Sequence, residues 1–251
     1  MSIFFENWLF VSLIMLIAWL IFLRTKNPGI VDMCWPTVIT TSGLLIIFNT
    51  PNTSIQLILS GLLLIWGSRL ALHLLITRVS LNTPEKRYVT LSKKWRLPPT
   101  LGFLLHFQFQ GILAIIISSP FYFISQLSHY SLTTVIGALI ALLGIIGEAI
   151  SDRQLHQFKK NHPGKVCNAG LWLISRHPNY FFDWLTWMGF AVAALTLPLG
   201  YLSLASPGLL LFLMLKITGP ITETASIKSR GKAYLDYQKK TPMFFPRIFK
   251  R

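Results

Sequence analysis

Leu132–Lys160 reads LTTVIGALIALLGIIGEAISDRQLHQFKK, an apolar run over 132–150 that passes without a helix breaker into a polar stretch. A bilayer span needs roughly 20 predominantly apolar residues. The spacing predicts one helix that crosses a membrane and continues beyond it to about Lys160, ending before His162-Pro163-Gly164. Glu148, Asp152 and His156 fall at i, i+4 and i+8 and share a face, with Arg153 and Lys159 beside them. Glu148 sits in the last apolar turn, where a carboxylate is costly. That face either anchors the helix end by pairing with Arg153 or Lys159 or carries function.

Six further windows resemble the first half of this stretch: 5–23, 31–49, 54–77, 101–123, 179–198 and 201–219. With 53% hydrophobic and 12% charged residues, the 251-residue chain has about half the charge usual in a soluble domain. Only helices and closed barrels satisfy their backbones in lipid, so the expected fold is all-α. We expect a multi-pass bundle of about seven transmembrane helices, with residues 1–251 forming a single membrane domain. Leu199 and Gly200, after Pro198, read as a tight hairpin between the last two windows. Asp32 and Pro36 blur the start of the second.

The net charge of +15 invites a nucleic-acid reading, which its distribution excludes. Of 23 Lys and Arg residues, 22 fall in 24–26, 78–96, 153–176 and 216–251, and the other is Arg69 within a span. The connections 50–53, 124–131 and 199–200 hold none. This alternation places the N-terminus outside and the C-terminus in the cytoplasm. The first window reads as a retained helix, since no small-residue cleavage site follows it. Cys34 and Cys167 read as free thiols. No histidine pairing suits a metal, so none is expected.

Polar groups gather in three more places. Ser175-Arg176-His177-Pro178-Asn179-Tyr180, with Asp183, opens the sixth window. Pro178 suits the first turn of a helix, and exposed N–H groups there favour anions. An N-cap with an aromatic anchor explains Tyr180 but not Asp183. In the first half stand Asp32, Arg69 and His73 (one turn apart), Gln108 and Gln110. An intramembrane Arg requires a partner, and Asp32 or Glu148 would serve, structurally or catalytically. The loop Asn82–Arg96 with Tyr88, and the tail with Tyr234, Asp236 and Tyr237, form either a solvated basic face or a lid for a phosphorylated cofactor.

The blocks Gly147–Gln154, Gly170-Leu171-Trp172 and Ser175–Tyr180 together resemble the C-terminal domain of the steroid 5-alpha-reductase superfamily, and most closely its bacterial DUF1295 branch. Lys228–Tyr237, Thr241 and Phe244–Pro246 fit that branch, as do Ile30-Val31-Asp32 with Trp35, and Trp66 with Arg69 and His73. Residues 147–251 are the most family-like part. The resemblance implies an oxidoreductase of the bacterial inner membrane that binds NADPH from the cytoplasm and reduces a C=C bond of a steroid-like or other lipid.

Carried over by position, Asp152, Asn179 and Tyr180 match cofactor-contacting residues, with Asp183 the carboxylate that follows them. Glu148, Arg176, Tyr234 and Tyr237 complete the expected cofactor set. Phe182 stands where the family usually has Gly. Asp32, Arg69, His73 and Tyr88 are the candidates for polarising a substrate carbonyl. Expected partners are a lipid substrate and membrane lipids, with no nucleic acid and no obligate protein partner. The Arg-His-Pro-x-Tyr start also resembles isoprenylcysteine carboxyl methyltransferases, which use S-adenosylmethionine; Asn179 and Asp183 favour the reductase. A lipid-binding or transport protein is the non-enzymatic alternative.

Overall fold

The structure is a computed structural model that describes residues 3–50, 53–79, 88, 92 and 95–247. Its regular elements are helical, with no strand among the described residues. Among the described residues, six helices are long and apolar enough to cross a membrane: Ile3–Thr25, Ile30–Phe48, Ser54–Thr77, Pro99–Ile124, Leu132–Asn161 and Gly200–Arg230. The chain is therefore an all-α, multi-pass integral membrane protein. Where the sequence predicts about seven spans, the sixth window forms a helix of 17 residues, Pro178–Ala194. That helix is about 26 Å long, at the short limit for crossing a bilayer.

The chain divides into two compact units, 1–131 with 194–205, and 132–193 with 206–251. The first unit holds α1 (Ile3–Thr25), α2 (Ile30–Phe48), α3 (Ser54–Leu74), α4 (Pro99–Ile117) and α5 (Pro120–Ile124). On α1 only Asn7, Val11, Met15, Ala18 and Phe22 are buried, a stripe at three- and four-residue steps. Phe5, Leu9, Leu13, Ile17 and Leu20 stand exposed on the same helix. A helix apolar all round and open over most of its surface belongs in lipid. α2 starts at Ile30 and runs through Pro36, and it is the central element, packed on α1, α3 and α4.

Small residues let α2 and α3 approach closely. A Cβ on Gly67 would lie 1.8 Å from Thr40 Oγ1, and one on Gly43 would lie 2.7 Å from Leu63 Cδ2. Polar side chains join the other pairs, as is common between helices in lipid. Ser12 donates to Gln108 Oε1 at 2.8 Å, Gln108 returns a bond to Ser12 O at 3.1 Å, and Ser42 pairs with Ser118 at 3.0 Å. Gln108 is thereby a helix-packing residue.

The second unit holds α6 (Leu132–Asn161), α7 (Leu171–Ile174), α8 (Pro178–Ala194), α9 (Ala205–Leu213), α10 (Gly219–Arg230) and α11 (Lys232–Lys240). α6 ends at Asn161, just before the His-Pro-Gly breaker. The expected tight hairpin at Leu199-Gly200 is replaced by a longer turn. α8 stops at Ala194, Leu199 adopts φ 56°, and a 3₁₀ segment follows over Gly200–Leu204. Gly200 lies so close to Ala194 O (1.9 Å from a would-be Cβ) that no side chain fits. The final span is also not one regular helix, since a π-helical turn over Met214–Thr218 separates α9 from α10. One extra residue per turn rotates the downstream face by about 100°, which resets the side of α10 that is buried.

Candidate functional site

The site grows from the crossing of α6 and α8. Gly137, Ala141 and Gly144 lie on one face of α6. A Cβ on Gly137 would meet Ala193 N at 2.5 Å, one on Gly189 would meet Ala141 N at 2.3 Å, and one on Gly144 would meet Thr186 Oγ1 at 2.4 Å. These contacts set an antiparallel register in which each step up α6 is a step back along α8. Extended by one turn it sets Gly147 against Phe182, whose Cδ1 lies 2.2 Å from a would-be Cβ. Further along α6 it delivers Asp152 to the first turn of α8, where Asn179 Nδ2 donates to Asp152 Oδ1 at 3.3 Å.

A carboxylate only accepts, so Asn179 must turn its NH₂ toward Asp152. Its carbonyl oxygen then faces elsewhere, and Asn179 Oδ1 is buried with no hydrogen-bond partner among the described residues. Glu148 is 3% exposed and Asp183 8% exposed, so both carboxylates are within the protein. His156, two turns beyond Glu148 on the same face, is exposed. The predicted face therefore runs from the interior out to solvent.

The loop between α6 and α8 is folded back on α6. Leu171 N donates to Gln154 Oε1 at 2.9 Å, and Trp172 Nε1 donates to Ser151 O at 3.0 Å. Gly170, at φ 59°, packs against the Gln154 amide, with 2.6 Å between a would-be Cβ and Oε1. The C-terminal segment straps this loop from the other side. Arg176 N donates to Pro242 O at 2.9 Å, Ser175 Oγ to Phe244 O at 2.7 Å, and Arg247 N to Ile174 O at 2.9 Å. Tyr237 OH donates to Trp172 O and, at 3.3 Å, to Ser175 O. Burial pushes the Tyr237 and Tyr234 phenols above their ordinary range, so both remain neutral donors.

Arg176 is held by Glu223 through two bonds, Nε to Oε1 at 2.5 Å and Nη2 to Oε2 at 3.1 Å. Its Nη1 donates to Gln238 O at 3.1 Å and Thr241 O at 2.6 Å. Nearly all its donor capacity is thus used inside the protein. Tyr180 stacks on His177 with ring centroids 5.0 Å apart, and its hydroxyl lies 3.4 Å from Thr222 Oγ1. Nearby, Lys165, Arg230 and Lys240 line a recess of ≈ 520 Å³ with Phe158, Tyr237 and Asp236. Three cations against one carboxylate favour an anionic ligand there.

A family model described as "Protein of unknown function (DUF1295)" matches residues 18–241. The chain belongs to the DUF1295 family. No curated protein matches it.

In the first unit of this DUF1295 protein, two of the four expected carbonyl-polarising residues meet. Tyr88 OH donates to Asp32 Oδ1 at 2.6 Å, and the Tyr88 ring is 5% exposed. His106 packs edge-on against that ring at 5.8 Å. Arg69 and His73 are half-buried on α3, ahead of a π-helical turn over Leu75–Val79. The basic loop expected at Asn82–Arg96, with Glu85, Lys86 and Arg87, lies largely outside the described residues; Tyr88, Ser92, Trp95 and Arg96 are within them.

Of the expected cofactor residues in this DUF1295 chain, Asp152 and Asn179 are bonded to each other. Arg176 and Tyr237 also tie the tail to the loop before α8, Tyr234 packs edge-on against Tyr237, and Tyr237 lines the recess with Lys165, Arg230 and Lys240. Sequence reasoning missed Glu223, Thr222, Gln238 and His106. Glu223 had one usable signal: it is one of only eight acidic residues, in a segment whose other charges are nearly all basic.

Proposed function

We propose that this protein is an NADPH-dependent membrane oxidoreductase that reduces a polarised C=C bond of a lipid, as its resemblance to the steroid 5-alpha-reductase superfamily implies. The Lys and Arg distribution supports an N-terminus outside and a cofactor end facing the cytoplasm, which in a bacterium means the inner membrane. The observation that carries this reading is the buried, unpartnered Oδ1 of Asn179, fixed in orientation by Asp152. A buried acceptor is costly until an N–H donor reaches it, and a carboxamide or adenine amine is such a donor.

The residues fit a dinucleotide. Asp152, Asn179 and Tyr180 would hold its polar groups, and Glu148 and Asp183, one turn from Asp152 and Asn179 on the same helices, are buried. The recess of Lys165, Arg230 and Lys240 suits phosphate. When bound, NADPH supplies a hydride to the β-carbon of the alkene. The protein must also deliver a proton to the α-carbon and hold the charge that develops on the carbonyl oxygen. The Tyr88–Asp32 couple favours Tyr88 among the four candidates: Asp32 holds the phenol in place by accepting its one proton donor, and turning that O–H from Asp32 to the substrate would deliver the proton.

The test is a titration of the purified protein in detergent with NADPH and, separately, with S-adenosylmethionine. Binding of NADPH without response to the methyl donor supports the reductase. Tight methyl-donor binding without an NADPH response overturns it in favour of a methyltransferase, and response to neither favours a non-enzymatic lipid protein.

A further inference from the structure

We infer that Glu223 is a positioning residue that sets the Arg176–Tyr180 turn and, through it, the direction of the Asn179 amide. The consequence for cofactor binding rests on the NADPH reading above; the consequence for the turn does not. Glu223 is 9% exposed, and three side chains from two segments, the turn before α8 and α11, converge on its carboxylate. Arg176 supplies two, at 2.5 and 3.1 Å, Gln238 Nε2 supplies one at 2.8 Å, and His177 Nε2 lies 3.3 Å away.

The arrangement brackets Asn179 from both sides. Before it, Arg176 and His177 are tied directly to Glu223. After it, Tyr180 is fixed by its stack on His177, 5.0 Å between centroids and 9° between planes, and by Thr222, the neighbour of Glu223 on α10. His177 N is also capped by Ser175 Oγ at 3.2 Å, so the turn has little remaining freedom. A buried ion pair is a poor way to gain stability, because desolvating both charges offsets most of their attraction. It is a good way to fix geometry, since a guanidinium and a carboxylate meet in one planar arrangement. The π-helical turn at Met214–Thr218 sets the rotation of α10 that turns Glu223 toward Arg176.

The test uses the full chain in detergent and compares wild type, Glu223→Gln and Glu223→Asp. Two readouts are taken well below the melting temperature: hydrogen exchange by mass spectrometry, and the NADPH dissociation constant. Glu223→Gln should speed exchange over residues 177–182 roughly tenfold while leaving residues 137–147 unchanged, and weaken NADPH roughly tenfold. Glu223→Asp keeps the charge and should recover part of both. On an Asn179→Ala background the affinity loss from Glu223→Gln should nearly vanish, because both changes act through one amide.

A lower melting temperature with unchanged exchange at 177–182 would overturn the proposal and leave Glu223 a plain brace. Fully additive affinity losses would overturn it as well. If Glu223→Gln does not fold, unchanged exchange at 177–182 in Glu223→Asp has the same force. Faster exchange at 177–182 in a protein whose wild type binds no NADPH keeps the positioning role and removes the cofactor reading.

Discussion

The Phe182 ring occupies the space above Gly147, with its Cδ1 2.2 Å from where a Cβ on that glycine would be. A bulky aromatic side chain on α8 is thus accommodated by a residue on α6 that has none. Gly147→Ala should destabilise the protein by about 1–3 kcal/mol, and Phe182→Ala should relieve most of that loss in the double variant. Gly189→Ala meets the backbone of Ala141 and not a movable ring, so no single side-chain change should rescue it. Thermal unfolding in detergent of the single and double variants checks the difference.

Tyr237→Phe removes a hydroxyl that serves the carbonyls of Trp172 and Ser175. Leaving buried acceptors unserved costs about 1–3 kcal/mol, and the loop 165–177 should become the first site of proteolysis. The pH dependence has a definite sign. Burial raises the folded pKa above the usual 10.0, so the stability from these bonds is complete below about pH 10 and is lost as pH climbs further. In Tyr237→Phe that alkaline loss should shrink.

Much of this was legible in the sequence and some was not. Apolar run length located the spans, Pro178 marked the start of α8, and His162-Pro163-Gly164 marked the end of α6, because each is a local property of the chain. Asp152 and Asn179 could be named from their setting, but their bond depends on a register fixed by glycines up to 52 residues apart in sequence, Gly137 and Gly189. The Arg176–Glu223 pair joins residues 47 apart, and the Tyr237–Trp172 bond joins residues 65 apart. No periodicity encodes such partners. Arg176 reads as a cofactor contact in sequence because its carboxylate, Glu223, lies on another helix.

Cys167 is free and 8% exposed. Burial pushes its thiol up, an effect only partly offset by a bond from the Ala169 backbone and the charge of Lys159. Since the thiolate is the nucleophile, alkylation at pH 7.5 should be far slower in the folded protein than after denaturation. Mass spectrometry of the Cys167 peptide over time reads this directly. Glu223→Gln, if it loosens the tail, should accelerate the reaction.

Tyr88→Phe removes the proffered proton without changing the ring that packs on His106 and Phe103. Under the reductase reading turnover should fall roughly 10²- to 10⁴-fold while NADPH affinity holds. Asp32→Asn should fall less, since the phenol loses its orienting carboxylate and keeps its proton. Single-turnover oxidation of bound NADPH with an unsaturated lipid carbonyl separates the two.

The most direct measurement compares the NADPH dissociation constants of wild type and Asn179→Ala, with melting temperatures taken on the same samples. The variant should melt like the wild type but bind NADPH roughly tenfold or more weakly, the equivalent of one charge-free hydrogen bond and the order it imposes. Equal affinity in the two proteins would contradict it, because the unpartnered Asn179 Oδ1 would then have no part in holding the cofactor.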